Sequence, residues 1–253
     1  LEEVAAHTWE QVWLCIASTA LQGPWLAAFL EALGTATLVF LQPGLRDRDA
    51  LLEHWPTDRL VQGLITLLSY HAPLPGEHVP HPGVAYFFPP LSATPFTGPR
   101  ARTQAVVDAL RAGGCRAKMS PHVRKQAAIG SAVLMPHVVA LETAGWSLQA
   151  LRKSPLLTLA SRASHEAMMI AATYNGFPPP AARHMVHPMF TQLVLGLAPH
   201  VLPFNLEAYL RYHFTKVSAQ TRAAMAVYME LGAALGLSSI SLERLLRGSL
   251  ASI

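Results

Sequence analysis

The first 120 residues alternate between short apolar, β-branched runs and helix-like segments, and this alternation most constrains the fold. Val12–Ala17 (VWLCIA) and Thr35–Gln42 (TATLVFLQ) have the form of buried strands. Between them lies Pro24–Leu33, whose proline suits the first turn of a helix. Pro43-Gly44 closes the second strand with a strong turn signal. Strands that alternate with helices predict a mostly parallel sheet with crossover connections.

The rest of this first part continues the alternation. The predicted helices are Asp47–His54 and Thr103–Ala112, and the predicted strands are Arg59–Tyr70, Val84–Pro89 and Cys115–Met119. Gly113-Gly114 provides a good stop for the second of these helices.

From Pro121 onward the strand-like runs vanish and long helical periods replace them. The predicted helices are Val123–Glu142 with a kink at Pro136, a helix from Ser154-Pro155 to about Asn175 with Gly176 as its C-cap, a helix from Asn205 to about Leu235, and Ser241–Ser249. Pro178-Pro179-Pro180 is a helix-breaking linker. The predicted fold class is therefore α/β followed by all-α, with domains at 1–120 and 121–253.

Composition is that of a folded protein with a large core. Of 253 residues, 51% are apolar and 13% are charged, which excludes intrinsic disorder. Two cysteines, Cys15 and Cys115, exclude a disulfide scaffold and favour a reducing, cytoplasmic compartment. Both lie in predicted strands, so we expect buried, unreactive thiols. The net charge of +4 is too small and scattered to indicate nucleic-acid binding, but it is compatible with an anionic small-molecule ligand.

Membrane and targeting segments are not expected. A spanning helix needs about 20 mostly apolar residues. The longest apolar region, Trp13 to Leu41, is interrupted by Gln22, Gly23, Pro24 and Glu31. No cationic segment followed by an apolar stretch and a cleavage site opens the chain.

Several catalytic and metal-binding motifs do not occur. The sequence has no G-x-S-x-G, C-x-x-C, G-x-x-x-x-G-K-[ST] or G-x-G-x-x-G. Its twelve histidines include two close pairs, His78 with His81 and His184 with His187. A zinc site needs three or four convergent ligands, and His165-Glu166 is followed by Met169 where a metalloprotease helix has its second histidine. We therefore predict no metal site.

The last long predicted helix carries a polar stripe. His213, Lys216 and Gln220 are spaced at i, i+3 and i+7, so they share one helix face, with Arg211 and Tyr212 adjacent. One interpretation of the stripe is an anion-binding face over a cleft. The alternative is a face that contacts solvent or a second subunit. Methionine-rich runs in the same half favour core or interface packing, and a homodimer through the helical part is a further hypothesis.

Several stretches resemble the ketopantoate reductase (2-dehydropantoate 2-reductase) family. Thr37–Leu45 (TLVFLQPGL) is similar to the family's strand and turn, T-x-V-x-x-L-Q-N-G-L, and Ala127–Leu141 (AAIGSAVLMPHVVAL) is similar to its first long helix, K-x-x-x-N-x-x-x-N-P-x-x-A-L. Arg59–Tyr70, Pro75-Gly76 and His81-Pro82-Gly83 resemble its next strand, glycine turn and H-x-G hairpin. Residues 205–247, with Gly232, resemble its closing helices.

The resemblance implies both a fold and an activity. The fold would be a partial Rossmann-type sheet domain followed by a helical C-terminal domain like that of 6-phosphogluconate dehydrogenase. The activity would be reduction of a 2-keto acid or a related small carbonyl compound with NADPH. Family members begin with a βαβ unit whose G-x-G-x-x-G holds the dinucleotide pyrophosphate. Val12–Ala17 resembles the fourth strand, so roughly 65–75 residues of the family pattern would precede Leu1.

The resemblance also assigns site residues. The cofactor-binding positions would lie after the first two strands of this chain, at Ala17, Ser18, Thr19, Gln42, Pro43 and Gly44. Substrate contacts would come from the polar stripe, through His213 and Lys216.

The usual catalytic residues of the family are replaced. Pro43 stands at the turn asparagine, Ala127 at the proton-donating lysine, Ser131 at the asparagine one turn later, and Ala226 at an acidic residue. An alanine cannot transfer a proton, and a proline has no N–H to donate. We therefore predict an altered catalytic site that uses Ser131 and Lys125, although Lys125 is two residues from the family position, a rotation of about 200° on a helix. The alternative is a protein without catalysis whose cleft binds a small molecule or a partner.

Overall fold

The computed structural model describes residues 1–250, and the side chains of residues 1–248. By their internal contacts these residues form two compact units. The sheet unit consists of Leu1–Leu68 and Tyr86–Ala127, and the helical unit consists of Ser69–Ala85 and the chain from Ala128 onward. The segment 69–85 thus belongs with the helices rather than with the residues 1–120 in which it lies in sequence. The change from one unit to the other at 127/128 falls inside a helix.

The described strands and helices alternate first and then give way to helices. The strands are β1 (Gln11–Leu14), β2 (Thr37–Phe40), β3 (Leu60–Gly63), β4 (Leu68–Ala72), β5 (Gly83–Phe87), β6 (Thr94–Thr97) and β7 (Ala117–Met119). The helices are α1 (Glu2–Ala5), α2 (Trp25–Ala32), α3 (Asp47–Leu52), α4 (Arg100–Ala112), α5 (Val123–Thr143), α6 (Leu148–Lys153), α7 (Leu156–Tyr174), α8 (Pro188–Val201), α9 (Leu206–Lys216), α10 (Ser218–Ala234) and α11 (Ile240–Leu250). The predicted α/β part followed by an all-α part is confirmed.

The sheet unit is built on five strands in the order β1-β2-β3-β6-β7. β1, β2 and β3 are parallel to one another, β6 runs antiparallel to β3, and β7 is parallel to β6. All four residues of β2 (TLVF) are buried, as expected for a central strand that is covered on both faces. The predicted mostly parallel sheet is therefore present, with one antiparallel junction.

Side chains of β2 alternate between two apolar layers. Leu38 and Phe40 pack with Leu30 of α2 and Leu51 of α3 on one face. Val39 packs on the other face, with α4 residues and the strand residues Val61 and Phe96. This period-2 alternation lets one short strand stabilise both layers.

One strand prediction was wrong in extent, and another strand, although present, lies in a different sheet. Arg59–Tyr70 is not one strand, because residues 64–67 separate β3 from β4. β4 and β5 form a separate two-stranded sheet, so the strand predicted at Val84–Pro89 lies outside the main sheet. β6 was not predicted, because Pro95 interrupts its short apolar run. Pro95 is nevertheless a member of the sheet, since its carbonyl accepts a hydrogen bond from the Leu64 amide at 3.2 Å.

The helical unit follows its capping signals at both ends of α7. The Leu156 amide donates to Ser154 Oγ at 3.1 Å at the start. At the end, Gly176 adopts φ +68°, the left-handed conformation that terminates a helix. α5 continues through Pro136, as expected from the sequence.

One predicted helix is in fact two. The helix predicted from Asn205 to about Leu235 divides into α9 and α10 at Val217, which has φ −109° and ψ 22°. Asn205 caps α9, since its Oδ1 accepts from the Ala208 amide at 3.0 Å. Gln220 therefore lies on α10, and the predicted continuous stripe with His213 and Lys216 does not exist.

α8 was not predicted as a helix, and none of its residues, all of which the structure describes, is buried. One side carries exposed apolar side chains, namely Met189, Phe190, Leu193, Val194, Leu197 and Val201. A homodimer through the helical unit remains a prediction. Among residues 1–250, no single helix has the length and apolar character to cross a membrane, and only the pair α8 and α9, bent by 107°, meets the length and composition criteria together.

Candidate functional site

The loops that follow β1 and β2 lie side by side, because the two strands are parallel neighbours. Gln42 ties these loops together. Its Nε2 donates to the carbonyls of Leu14 at 2.7 Å and Ile16 at 2.8 Å, and its Oε1 accepts from the Leu41 amide at 3.1 Å. With its side-chain amide engaged in this way, Gln42 supports the loops and leaves ligand contact to its neighbours.

A second tie comes from Asp47, the first residue of α3. One oxygen, Oδ2, accepts hydrogen bonds of 2.6 Å from both Ser18 Oγ and the Gly44 amide. A Cβ on Gly44 would lie 2.3 Å from Asp47 Oδ1, so only glycine permits this approach. Burial raises the pKa of Asp47, and the two hydrogen bonds oppose the rise.

Sequence analysis did not identify Asp47. An available signal was an acidic residue at the start of a helix, three residues after the glycine of a Pro-Gly turn, where a carboxylate can accept from backbone amides.

The structure brings the six predicted cofactor positions together at the carboxyl ends of two parallel strands. Open α/β sheets bind their ligands at these ends. Ala17 and Thr19 are exposed, whereas Ser18, Pro43 and Gly44 are partly buried. Because most of these side chains are short, a ligand can approach the loop backbone closely. These loops therefore present an open surface, made largely of backbone groups, at the ends of the two strands.

The cysteines do not follow the prediction of buried thiols. Cys15 is exposed because β1 ends at Leu14, and Cys115 is partly exposed because β7 begins only at Ala117.

The two predicted catalytic residues lie on different faces of α5. Lys125 is partly buried in the first turn, within the sheet unit. Ser131 is six residues further along, which corresponds to a rotation of about 240° on an α-helix. Arg124 precedes Lys125 on α5, and burial and then the nearby Arg124 lower the pKa of Arg48, while Asp49 opposes this shift. Arg124 and Lys125 thus give the first turn of α5 two cationic side chains.

Ser131 belongs to the core of the helical unit. It is only 7% exposed, and its hydroxyl is hydrogen-bonded to the side chain of Tyr228 on α10. Tyr228 is fully buried, and burial raises its pKa to about 12. Ser131 is thus committed to a buried hydroxyl pair rather than exposed at a cleft.

We predict that Ser131→Ala destabilises the fold by about 1–2 kcal/mol, because the Tyr228 hydroxyl is left buried without its partner. Urea unfolding measures this change. The double variant Ser131→Ala with Tyr228→Phe should be more stable than the sum of the two single effects, because both partners are then removed. Strict additivity would contradict the pairing.

A cleft of about 700 Å³ lies beside α9, entirely within the helical unit. Its charged wall carries Arg211 and Lys216, with Tyr212 and Thr215 on the same helix. Opposite residues come from the loop before α6, and that loop includes Trp146 at φ +64°. The lining also includes the carboxylate of Glu207, so two cations and one carboxylate leave the cleft with an excess of positive charge. Such a cleft, with aromatic residues in its wall, suits a small anion with an apolar part.

His213 does not line this cleft. Its ring stacks on Tyr209 with centroids 5.7 Å apart and planes 23° apart, beside the ring of Phe214. Burial, and then Lys216, lowers the pKa of His213. Tyr209 extends the cluster to Tyr70 and Phe204, both of which lie in the same unit. Of the two predicted substrate residues, the structure places only Lys216 in the cleft.

The residues described include no group of three or more histidine, cysteine, aspartate or glutamate side chains that could hold a metal ion. Glu166 has a structural role instead. Its carboxylate accepts from the amides of Ser241 at 2.9 Å and Leu242 at 3.1 Å, and so caps α11.

In this chain a partly parallel sheet with open strand ends is followed by a helical region. Solved structures identify the fold more closely. A D-mandelate dehydrogenase with NADH and anilino(oxo)acetate has a TM-score of 0.68 and 12% identity, and the match covers 98% of this chain and 77% of that one. The 2-dehydropantoate 2-reductase from Geobacter metallireducens has a TM-score of 0.69 and 12% identity, covering 99% and 79%.

The ketopantoate reductase from Ralstonia eutropha is similar at 16% identity, with a TM-score of 0.64 and coverage of 98% of this chain and 78% of that one. Sequence comparison finds no matching protein-family model and no matching curated protein. The structural likeness confirms that this chain has the ketopantoate reductase fold.

Proposed function

We propose that this protein is a ketopantoate-reductase-like oxidoreductase that uses NADPH to reduce a 2-keto acid or a related small carbonyl compound at an altered site. The observation that carries the proposal is the pair of tied loops at the carboxyl ends of β1 and β2, in a chain whose fold is shared with reductases. The likeness to a D-mandelate dehydrogenase structure that contains NADH supports a nicotinamide cofactor.

In this proposal the sheet unit holds the cofactor, which supplies a hydride when bound. Residues 17–19 and 43–44 offer loop backbone to the dinucleotide, while Gln42 and Asp47 keep the two loops in register. Holding the loops before the ligand arrives reduces the entropy lost on binding.

The substrate end needs cations for a carboxylate and a proton donor for the forming alkoxide. The cleft beside α9, which lies within the helical unit, offers two cations for a carboxylate, Arg211 and Lys216. We assign the proton-donor role to Lys125 in preference to Ser131, because the Ser131 hydroxyl is engaged with Tyr228 in the core.

A second candidate function is ligand binding without turnover. Ala127, only 7% exposed, stands where the resemblance places the family's lysine, and Pro43 stands where it places the asparagine. Neither side chain can donate a proton. A binding protein would keep the loops and the cleft and show no reduction.

The test is a titration of the full chain with NADPH, and separately with NADH, followed by nicotinamide fluorescence. We expect saturable binding below about millimolar cofactor. Absence of binding at millimolar concentrations of both cofactors would contradict the oxidoreductase proposal. Oxidation of the bound cofactor, monitored by absorbance with a panel of 2-keto acids, then separates an enzyme from a binding protein.

A further inference from the structure

A second cavity, of about 540 Å³, lies in the helical unit between α6, α8 and the start of α9. This cavity and the cleft beside α9 have two lining residues in common, Asn205 and Glu207. Neither of these residues is a cation. Its wall is partly apolar, through residues such as Leu195 and Phe204, and partly polar, through Arg152 and His200. An apolar wall with a few convergent polar groups is the usual form of a small-molecule site.

Arg152 is the feature of this cavity that points to a ligand. Its Nε is buried and has no hydrogen-bond partner among the residues that the structure describes. Nε is closed to solvent, whereas the residue as a whole is only partly buried and lines the cavity. An anionic ligand in the cavity would therefore pair with the terminal Nη1 and Nη2 groups of the same guanidinium.

The position of the guanidinium is set by Gly196 on α8. A Cβ at residue 196 would lie 2.9 Å from both Cζ and Nη2 of Arg152 and 3.1 Å from Nη1. The guanidinium therefore lies against the bare backbone of α8. Gln192, on the same helix, donates through Nε2 to the Arg152 carbonyl at 3.2 Å and joins α8 to α6.

The acidic residue on the cavity wall already has a role. Glu207 Oε1 accepts from the Leu148 amide at 2.6 Å and caps the first turn of α6. Asn205 uses its Oδ1 to cap α9, accepting from the Ala208 amide at 3.0 Å.

We propose that this cavity binds a small organic monocarboxylate, whose carboxylate pairs with the Arg152 guanidinium and whose apolar chain lies against Leu195 and Phe204. The planar guanidinium matches the planar carboxylate in a two-bond pair. A single guanidinium neutralises one negative charge, and the apolar wall favours a hydrocarbon chain over a dianion such as phosphate.

The experiment uses the full chain and simple carboxylates that offer no ketone for reduction. Isothermal titration calorimetry is run with hexanoate, with the neutral hexanamide and with inorganic phosphate. We expect hexanoate to bind saturably and more tightly than the other two. Absence of saturable hexanoate binding, or tighter binding of hexanamide or phosphate, would overturn the proposal. NADPH is absent throughout, and variants of the two cavities show which of them holds hexanoate, so failure here leaves the oxidoreductase proposal standing.

Variants identify the site. Arg152→Gln removes the positive charge, whereas Gly196→Ala keeps the charge but displaces the guanidinium. Each variant should weaken hexanoate binding by about tenfold or more. Arg162→Gln, at an exposed arginine of α7, is the control and should bind like the wild type. Loss of hexanoate binding in Lys216→Ala, with full binding in Arg152→Gln, would place the carboxylate in the cleft beside α9 and overturn the proposal. If Arg152→Gln fails to fold by circular dichroism, Gly196→Ala and Arg152→Lys decide the matter. Wild-type affinity in both folded variants would refute the assignment.

Discussion

Replacing Asp47 by alanine should lower the free energy of unfolding by about 2–3 kcal/mol and weaken NADPH binding by about tenfold. The carboxylate oxygen that accepts from Ser18 and from the Gly44 amide is lost, so both donors are left without it. The loops after β1 and β2 then lose one of their two ties and are no longer held in place for the dinucleotide. Urea unfolding and fluorescence titration measure the two effects.

Asp47→Asn is the matched control for this prediction. Both hydrogen bonds converge on one oxygen, so an asparagine carbonyl can accept both of them. We expect Asp47→Asn to keep cofactor affinity and to change stability by less than about 1 kcal/mol. Asp49→Ala removes another acidic residue from the first turn of α3 without touching the bridge, and it should bind NADPH normally. Equal defects in all three variants would contradict the bridging role.

The same residue predicts a pH dependence of stability. Burial raises the pKa of Asp47 above its ordinary value of 3.8, so the folded protein holds a proton there more tightly than the unfolded chain. The contribution of Asp47 to stability is therefore fully present below about 3.8 and is lost as pH rises through the folded pKa. Relative to Asp47→Asn, which does not titrate, the wild type should gain stability as the pH falls through the folded pKa toward the ordinary value of 3.8.

Lys125→Ala should lower kcat for the 2-keto acid that is turned over by about 100-fold or more, with NADPH affinity kept. Removal of a general acid typically costs two to four powers of ten in rate, that is about 10²–10⁴. Initial rates from cofactor absorbance give kcat, and the fluorescence titration gives the affinity. A variant with wild-type kcat would show that the proton comes from another group.

Two further variants separate the possible roles of Lys125. Arginine keeps the positive charge but does not give up a proton near neutral pH, so Lys125→Arg should be as slow as Lys125→Ala if Lys125 is the proton donor. If Lys125→Arg instead restores the rate, the side chain acts by charge alone. Lys118→Ala, at an exposed lysine of β7, should retain full activity.

Much of the fold could be predicted because its signals are local. The β-branched run of β2, the proline and glycine that border α7, and the asparagine that caps α9 all act within a few residues. Failures occurred where distant partners decide. β6 contains Pro95 and is held as a strand by β3 and β7, and α9 ends at Val217 although helical periodicity continues beyond it.

The candidate site shows the same limit. The loop positions at Ala17–Thr19 and Gln42–Gly44 follow from where two strands end, and a sequence pattern can locate strand ends. The contacts of Asp47 with Ser18 and of Ser131 with Tyr228 join residues far apart in sequence. No periodicity reveals such pairs. His213 and Lys216 lie on the same helix, as their spacing predicted. The ring of His213 nevertheless packs in an aromatic cluster, whereas Lys216 lines the cleft.

The grouping of residues 69–85 with the helical unit has a consequence for biosynthesis. The ring of Tyr70 packs against Phe204 and Tyr209, which a ribosome adds only after most of the chain has emerged. While translation continues, the Tyr70 side of β4 therefore lacks its aromatic partners. Contacts between residues so distant in sequence form slowly, so the packing of Tyr70 is completed only after the helices that carry Phe204 and Tyr209 have been synthesised.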